Sequence, residues 1–584
     1  MSDDRGPSGP GGPGGPGGSA ERSRVQWRAW GPEAFTEARE RDAPLLCFLT
    51  ATWCGPCRRM RVETFGEPRV AANVNDGFVP VAVDVDRHPR VRERYNVGGF
   101  PSTTFLTPDG RLLTGVTYLG PDGMRQVLER VRDRWRESGA EAGSVPRELA
   151  GDPTPAGEVT ERIEAHLAGQ LDSKFDPEFA GWGSDAKFPL PRTVEFALKR
   201  EREQAVRTLD AIERNLHDER GGFYRFAGNR NWTDPHCEKL LADNAALLRA
   251  FANGYLYTGE DRYRETAAAT VEFLTDALWN GAAFGGSQVD DGGAGESDGG
   301  NESGAGESGS SGDDAVGSPR RDLTAYADAN GAAADALLTY AGYTDDAAAR
   351  DYARRALEHL RRDMLDDGAV VHYRDGDERG ERGLLTDQAG VASGFVRAAQ
   401  VLGDGWAADD RGGTNDVADY RETARAVADY AIETLHDGGS FRDGPAEGSG
   451  LLDRPLRPLD GNAAMANALI DLAMLTGEES YREIARETVG AFAGASHRVG
   501  VQVAEYGTAA GRLCREPLVV AVADDPGSDL HRAALRIADH EKVVVPDADA
   551  SIAPDLDRGT ARVVGVDEPA SDPEALMERV ARRE

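Results

Sequence analysis

The sequence predicts a multidomain chain: a small α/β domain, then a large all-α part closed as a ring of helical hairpins, then a short α/β segment. Three observations carry this. Short apolar runs alternate with helical stretches up to about residue 136, long amphipathic helices that resemble one another fill about 160–495, and short apolar runs return after about 516. The 584 residues leave room for three or four domains at ~150 residues each, or for one very large domain beside a small one.

In the first domain, Leu45-Leu46-Cys47-Phe48-Leu49 and Val79-Pro80-Val81-Ala82-Val83 read as buried strands. Ser102 to Leu106, ahead of Pro108-Asp109-Gly110, reads as a strand entering a hairpin, and Pro121 to Arg136 as the closing helix. In the helical part, Tyr263-Arg264-Glu265-Thr266-Ala267, Tyr420-Arg421-Glu422-Thr423-Ala424 and Tyr481-Arg482-Glu483-Ile484-Ala485 open similar helices, with Tyr352-Ala353-Arg354 a looser copy. Leu216-His217-Asp218 before Gly221-Gly222-Phe223 is matched by Leu435-His436-Asp437 before Gly438-Gly439-Ser440-Phe441. Such self-similarity marks stacked hairpins, each too small to bury its own face, and the uneven spacing favours a closed ring over an open solenoid. In the last part, Leu518 to Ala523 and Lys542 to Val545 flank a helical stretch around Leu530 to Ala538.

The resulting boundaries are a disordered Gly/Pro tail at 1–20, the α/β domain at 21–137, a linker at 138–158, the helical ring at 159–515 with a disordered insertion at 285–320, and an α/β subdomain at 516–584.

Charge narrows the partners. With 67 Lys+Arg against 101 Asp+Glu the net charge is −34, which repels phosphate backbones and anionic membranes, so neither nucleic acid nor membrane is expected. No apolar run approaches the ~18 residues of a spanning helix. Met1-Ser2-Asp3-Asp4 followed by Gly/Pro repeats has no charged-then-apolar signal region, so the cytosol is the expected compartment. Only five lysines occur (Lys174, Lys187, Lys199, Lys239, Lys542), and an arginine-rich, strongly acidic chain suggests adaptation to concentrated salt.

Five cysteines (Cys47, Cys54, Cys57, Cys237, Cys514) are too few for a disulfide framework, which leaves Cys54-Gly55-Pro56-Cys57 as the pair that matters. It follows a buried strand and leads into Arg58-Arg59-Met60-Arg61, a helix start. A thiolate there is stabilised by the helix dipole and by nearby arginines, and the two-residue gap lets a second thiol resolve a mixed disulfide. Cys54 would attack and Cys57 would resolve. A zinc site would need a second C-x-x-C or a His cluster; neither is present, so neither metal nor cofactor is expected. Cys47 reads as core, and Cys237 as a buried structural thiol or one with a lowered pKa.

Trp53-Cys54-Gly55-Pro56-Cys57 resembles the thioredoxin motif, and Gly98-Gly99-Phe100-Pro101-Ser102 sits where thioredoxins carry their cis-proline loop. That resemblance implies that Pro101 faces the disulfide and helps bind extended thiol substrates. The buried acid of thioredoxins falls at about Phe48, which is apolar. The flanks, Trp27-Arg28-Ala29-Trp30, Glu63-Thr64-Phe65 and Val83-Asp84-Val85-Asp86-Arg87-His88-Pro89, resemble a narrower group, the spermatogenesis-associated, thioredoxin-domain-containing family. So do Ala186-Lys187-Phe188-Pro189, Gly221 to Phe226 and Trp232 to Ala245. This implies a thioredoxin-like domain fused to an (α/α)6 toroid of the six-hairpin glycosidase type, a fold shared with sugar 2-epimerases. The chain departs from the family's Cys-His-Trp-Cys-His pattern at Gly55, Pro56 and Arg58, has Cys237 where an aromatic is usual, and has no cysteine after Cys514.

Within the toroid, Asp234 and Pro235 read as N-cap and first residue of a helix. His236 and Asp243, seven apart, would then share one face with Asn244 beside them, at the mouth of a cavity. Glu238 would point elsewhere and pair with Arg225. The functional reading takes His236 as acid/base with Asp243 or Glu238 as its carboxylate, and Trp182, Trp232 and Tyr224 as stacking surfaces for a sugar-like ring. The alternative is that these groups cap helices and tie hairpins. Asp290, Asp291, Asp387 and Asp460-Gly461-Asn462 read as caps or turns.

Three functions follow: a thiol-disulfide oxidoreductase acting on a protein thiol or disulfide, its toroid recognising a partner or sugar-like ligand; a glycoside hydrolase or sugar 2-epimerase with a regulatory thioredoxin-like domain; or a non-catalytic, folding-associated binding protein.

Overall fold

The computed structural model describes residues 24–146, 149, 155–289, 319–403, 419–548, 553 and 555–583. The expected tail at 1–20, Asp290, Asp291 and most of the expected insertion lie outside the described residues. Contacts divide the chain into one unit of Met1–Ala150 with Ala446–Arg454 and a second of Gly151–Pro445 with Pro455–Glu584.

The first unit runs α1 (Pro32–Arg41), β1 (Leu45–Thr50), α2 (Gly55–Arg59), α3 (Pro68–Gly77), β2 (Val79–Asp84), α4 (Pro89–Tyr95), β3 (Ser102–Leu106), β4 (Leu112–Val116) and α5 (Pro121–Ser138). Four of the helices begin on proline, whose fixed φ suits the first helical position and whose missing N–H costs nothing there. The sheet order is β2-β1-β3-β4, with β1 parallel to β2 and antiparallel to β3. As a central strand, β1 is apolar at every position from Leu45 to Leu49, all buried. On α5, Met124, Val127, Leu128 and Val131 form the buried stripe that a 3.6-residue period demands.

The expected linker is shorter than its sequence suggests. Gly139–Ala142 make one more turn and Ser144 pairs with Leu112 through backbone hydrogen bonds of 2.8 and 2.9 Å, so the described residues up to 146 belong to the α/β fold. Ala446–Arg454 complete this unit: the buried guanidinium of Arg94 donates to Leu451 O at 2.9 Å, and the Tyr95 hydroxyl accepts from Leu451 N at 3.0 Å.

The second unit alternates outer and inner helices. In chain order these are α6 (Glu161–Lys174), α7 (Pro191–Arg200), α8 (Arg202–Leu216), α9 (Leu241–Thr258), α10 (Asp261–Phe273), α11 (Ala327–Thr344), α12 (Ala347–His359), α13 (Leu385–Leu402), α14 (Tyr420–Thr434), α15 (Leu459–Thr476), α16 (Glu479–Ala493) and α17 (Ala504–Cys514). The odd-numbered helices pack successively on one another and α17 closes on α7, giving a ring of six inside six. This is the (α/α)6 toroid. Inner helices are buried on nearly all sides and are rich in Ala and Gly. A Cβ on Gly331 of α11 would stand 2.4 Å from Gly390 O of α13, so these two backbones approach as only glycine allows. The repeated Tyr-Arg-Glu segments open outer helices, and their tyrosines tie neighbours: Tyr263 donates to Asp210 of α8 at 2.6 Å and Tyr481 to Asp429 of α14 at 2.8 Å.

The ends of the expected insertion are ordered. Ser287–Val289 pair with Arg320–Asp322, and Gly285 packs so tightly that a Cβ would meet Asp322 O at 2.5 Å. At the C-terminal end, Val519–Ala523 lie between Val543–Pro546 (parallel) and Thr560–Val563 (antiparallel), with α18 (Asp529–Leu535) and α19 (Pro573–Arg583) alongside. This sheet is part of the second unit: Gln400 of α13 accepts from Val544 N at 3.1 Å and from the His531 ring at 2.8 Å.

Three of the five lysines are interior. Lys187 pairs with Asp176 at 2.9 Å, Lys239 with Asp218, and Lys542 is buried near Arg397 and Asp539. Lys199 pairs with Asp539 at 2.8 Å and Glu541 at 2.9 Å. Among the described residues no helix is long and apolar enough to cross a membrane.

Candidate functional site

In the first unit, β1 delivers the chain to the N-terminus of α2. Cys54 is the helix cap: its backbone is extended, and its Sγ accepts from the Cys57 N–H at 3.1 Å. Cys54 and Cys57 form a disulfide with their Cα atoms 5.3 Å apart, and both are buried. A sulfur held by a helix N-terminal N–H is where a thiolate is most stabilised. Trp53 is fixed on two sides: its Nε1 donates to Asp86 Oδ2 at 2.7 Å and its ring meets Phe100 edge-on at 5.7 Å.

Phe100 precedes Pro101 across a cis peptide bond. The loop leading there is held by Asn96, whose Oδ1 accepts from Gly98 N at 3.1 Å, Gly99 N at 2.9 Å and the Ser102 hydroxyl at 3.1 Å. Gly98 and Gly99 have φ of +115° and +135°, backbone that needs glycine. Asp86, Asn96 and Phe100 were not singled out from sequence, although each lies within the quoted motifs or directly beside them.

Phe48 packs between Trp27 and Phe65 at ring distances of 5.7 and 5.1 Å, so the position read as lacking a buried acid is filled by an aromatic cluster. Arg61 lies 5.9 Å from the Phe48 ring; burial lowers its pKa and the charge of Asp84 opposes this. Burial pushes the Cys47 thiol up to about 12, consistent with a core residue.

The helical unit rearranges the candidates drawn from its sequence. Pro235–His236 form a short strand paired with Phe226–Ala227, and α9 starts only at Leu241, so His236 and Glu238 precede the helix and share no helical face with Asp243. The Asp234-Pro235 cap signal is overridden by hairpin pairing, with Asp234 itself left-handed at φ 61°. Four groups are nevertheless close enough to interact. Burial raises the Asp243 carboxyl to about 6, with Glu238 adding to the shift and Arg225 opposing it. Burial also raises Glu238, but the His236 imidazole, 3.9 Å away, and Arg225 outweigh it and hold its pKa low. His236 stacks flat on Phe226 at 3.9 Å, and Phe226 on the exposed Phe188 at 4.6 Å.

Asn244 has a different job from the one its neighbours suggested. Fully buried, it accepts from Phe223 N at 2.6 Å and donates to Phe223 O at 3.2 Å and Leu240 O at 2.9 Å. Asn462 does the same for Phe441 and Pro458 O, and Asn330 for Phe284 and Tyr326 O. Gln388 holds Val370 N at 2.7 Å. Each is the fourth residue of its inner helix, pinning the hairpin that precedes it. Phe223 after Gly221-Gly222 and Phe441 after Gly438-Gly439-Ser440 are thus held in the same way. Trp232 and Trp182 are buried with their indole N–H groups donating to Phe179 O at 2.8 Å and Leu171 O at 3.1 Å, so neither offers a face to a ligand. Tyr224 is half-buried under the Lys239 ammonium, 5.5 Å from its ring.

The ring encloses a cavity of about 320 Å³. The second residue of every inner helix lines it: Arg192, Ala242, Asp328, Thr386, Asp460 and Glu505. Of the sequence candidates, none of His236, Glu238, Asp243, Asn244, Trp232 and Tyr224 is among the lining residues. Deeper in, Arg249 grips Glu195 through two 2.7 Å bonds and also reaches Asp335, which Arg397 meets at 2.9 Å. Burial raises Glu195, but Arg249 and Arg192 overcome it and bring its pKa to about 2. The sequence signal for these residues was charge on otherwise Ala-rich helix faces, which no linear motif marks.

A parallel and antiparallel four-stranded sheet with a capped Cys-x-x-Cys disulfide defines a thioredoxin-fold domain of redox type. Residues 19–150 match the family model Thioredox_DsbH, a protein of unknown function, DUF255. A thioredoxin H-type of Oryza sativa subsp. indica is 38% identical over 93 residues, 16% of this chain and 72% of its own length. Through this unit the chain belongs to the thioredoxin family. Spermatogenesis-associated protein 20 of Homo sapiens is 27% identical over 299 residues, 44% of this chain; the chain spans 37% of that relative's length. A solved sugar epimerase from a ruminal bacterium aligns with 56% of this chain and 84% of its own at 15% identity, with a TM-score of 0.44.

Proposed function

We propose that the protein catalyses thiol-disulfide exchange at Cys54 and Cys57. The observation that carries this reading is the Cys54 sulfur capping α2 with the Cys57 N–H directed at it. In the reduced form, the Cys54 thiolate would attack a substrate disulfide and release one substrate thiolate. The Cys57 thiolate would then attack the mixed disulfide, expel the second and leave Cys54–Cys57 oxidised, two electrons having passed to the substrate. Pro101 and Trp53 would position the extended substrate strand. The substrate is a protein disulfide and the reductant a dithiol, in the cytosol. Insulin reduction driven by dithiothreitol tests this: turnover lost in Cys54→Ser, and a trapped mixed disulfide in Cys57→Ser. A wild-type rate equal to the uncatalysed one would remove the proposal.

A second reading is supported by the central cavity: the helical unit binds a polyhydroxylated, sugar-like ligand among its carboxylates and guanidinium groups. A sugar panel read by thermal shift, with Asp460→Ala as the variant that abolishes any response, tests it. The −34 charge would on this account reflect concentrated salt as solvent.

A further inference from the structure

Three side chains come together where one of them, Asp328, lines the cavity, the other two being buried behind it. Asp328 is the second residue of α11, Asp387 the third of α13, and His372 comes from the hairpin between α12 and α13. One potential ligand atom from each lies within 4.8 Å of the other two. Ligand atoms about 2.1 Å from a shared zinc ion would stand ~3.4 Å apart in a tetrahedral site, so the spacing is compatible with one ion.

The second observation concerns Asp387, which is wholly buried. Its Oδ1 is crowded, taking the His372 Nδ1 at 2.8 Å and the Asp328 N–H at 3.3 Å. Its Oδ2 is buried with no hydrogen-bond partner. An ionised oxygen left this way is costly, and a cation supplies the charge that no donor provides. His372 is rigidly placed: its N–H donates to Glu381 O and its carbonyl accepts from Ala327 N, both at 2.8 Å. That second bond roots it at the start of the helix that carries Asp328. Asp328 itself lines the cavity, so an ion here would border that space and keep a position for water or a ligand oxygen.

We propose that Asp328, His372 and Asp387 form a binding site for a divalent transition-metal cation. One imidazole nitrogen with two carboxylates suits Zn2+ or Mn2+ rather than Ca2+, which prefers six to eight oxygens. The site is independent of the thiol chemistry.

The test uses the full chain with Cys54–Cys57 oxidised, so that the redox pair does not compete, and with Cys237 and Cys514, the partly buried free thiols, replaced by serine in every protein compared. Each is stripped with chelator and titrated calorimetrically with ZnCl2 and with MnCl2 in molar KCl to suppress loose binding to the acidic surface. The expected result is one saturable equivalent of at least one metal, weakened at least ~10-fold in Asp328→Asn and unchanged in Asp363→Asn, an exposed carboxylate beside His359, with both variants checked for folding by circular dichroism. Asp328, half-exposed, tolerates the exchange sterically. No saturable binding by the wild type, equal binding in Asp328→Asn, or equal losses in both variants would overturn the site.

Discussion

The redox turn of the first unit and the cavity of the second are assembled on opposite plans. Trp53, Cys54 and Cys57 are neighbours in sequence, and their geometry follows from one strand, one cap and one helix start. The cavity takes residues from all six inner helices and from the segment beyond them, spread from Arg192 to Glu541. Chemistry written in a contiguous motif survives translation into structure almost unchanged. Chemistry distributed around a ring exists only once the ring has closed.

The sharpest way to break this comparison is to cut each region at one residue. Cys54→Ser should lower insulin reduction by at least about 100-fold, with unfolding of the helical unit unchanged by denaturant titration. Arg249→Met removes the cation shared by Glu195 and Asp335, both buried. It should cost about 3–5 kcal/mol in urea unfolding, because two buried carboxylates lose the guanidinium between them and are left with those of Arg192 and Arg397. Its surface counterpart, Arg136→Ala beside Asp133, should change stability by less than about 0.5 kcal/mol.

Smaller effects sharpen the account of the ring. Asn244→Ala and Asn462→Ala should each cost about 1–3 kcal/mol and by similar amounts, since each pins a phenylalanine backbone on both sides. A loss confined to Asn244 would argue against the shared role. Burial, with Arg397 adding to it and Asp539 opposing, lowers the Lys542 ammonium to about 7 from 10.5. Between those values the unfolded chain binds the proton that the folded chain has shed. Folding stability should therefore rise with pH across about 7–10.5, by at most ~1.4 kcal/mol per unit, and Lys542→Met should remove that slope. Chemical denaturation of both proteins at pH 6, 8 and 10 reads the difference.

Legibility follows the same division. The strands Leu45–Thr50 and Val79–Asp84 and the redox pair were readable because local pattern and final environment agree. The repeats around Tyr263, Tyr420 and Tyr481 were readable as outer-helix openings, yet which inner-helix face meets the cavity was not, because that depends on ring closure. At Asp234-Pro235 the local grammar of a helix start was present and lost to pairing with Phe226–Ala227. Asp387 was read as a cap because its partner His372, on a separate hairpin, carries no motif. Asn244 was read beside its neighbours when its meaning lay in Asn330 and Asn462, one and several repeats away.

The lysines have a practical consequence. With Lys187, Lys239 and Lys542 buried, Lys174 and Lys199 are the exposed lysines, and Lys199 is held by the carboxylates of Asp539 and Glu541. Amine-directed reagents will therefore find few handles on a protein of this size, and lysine cross-linking will report little about its neighbours. An activated ester at near-neutral pH should instead tag Lys174, at the end of the first helix of the ring, ahead of the ion-paired Lys199.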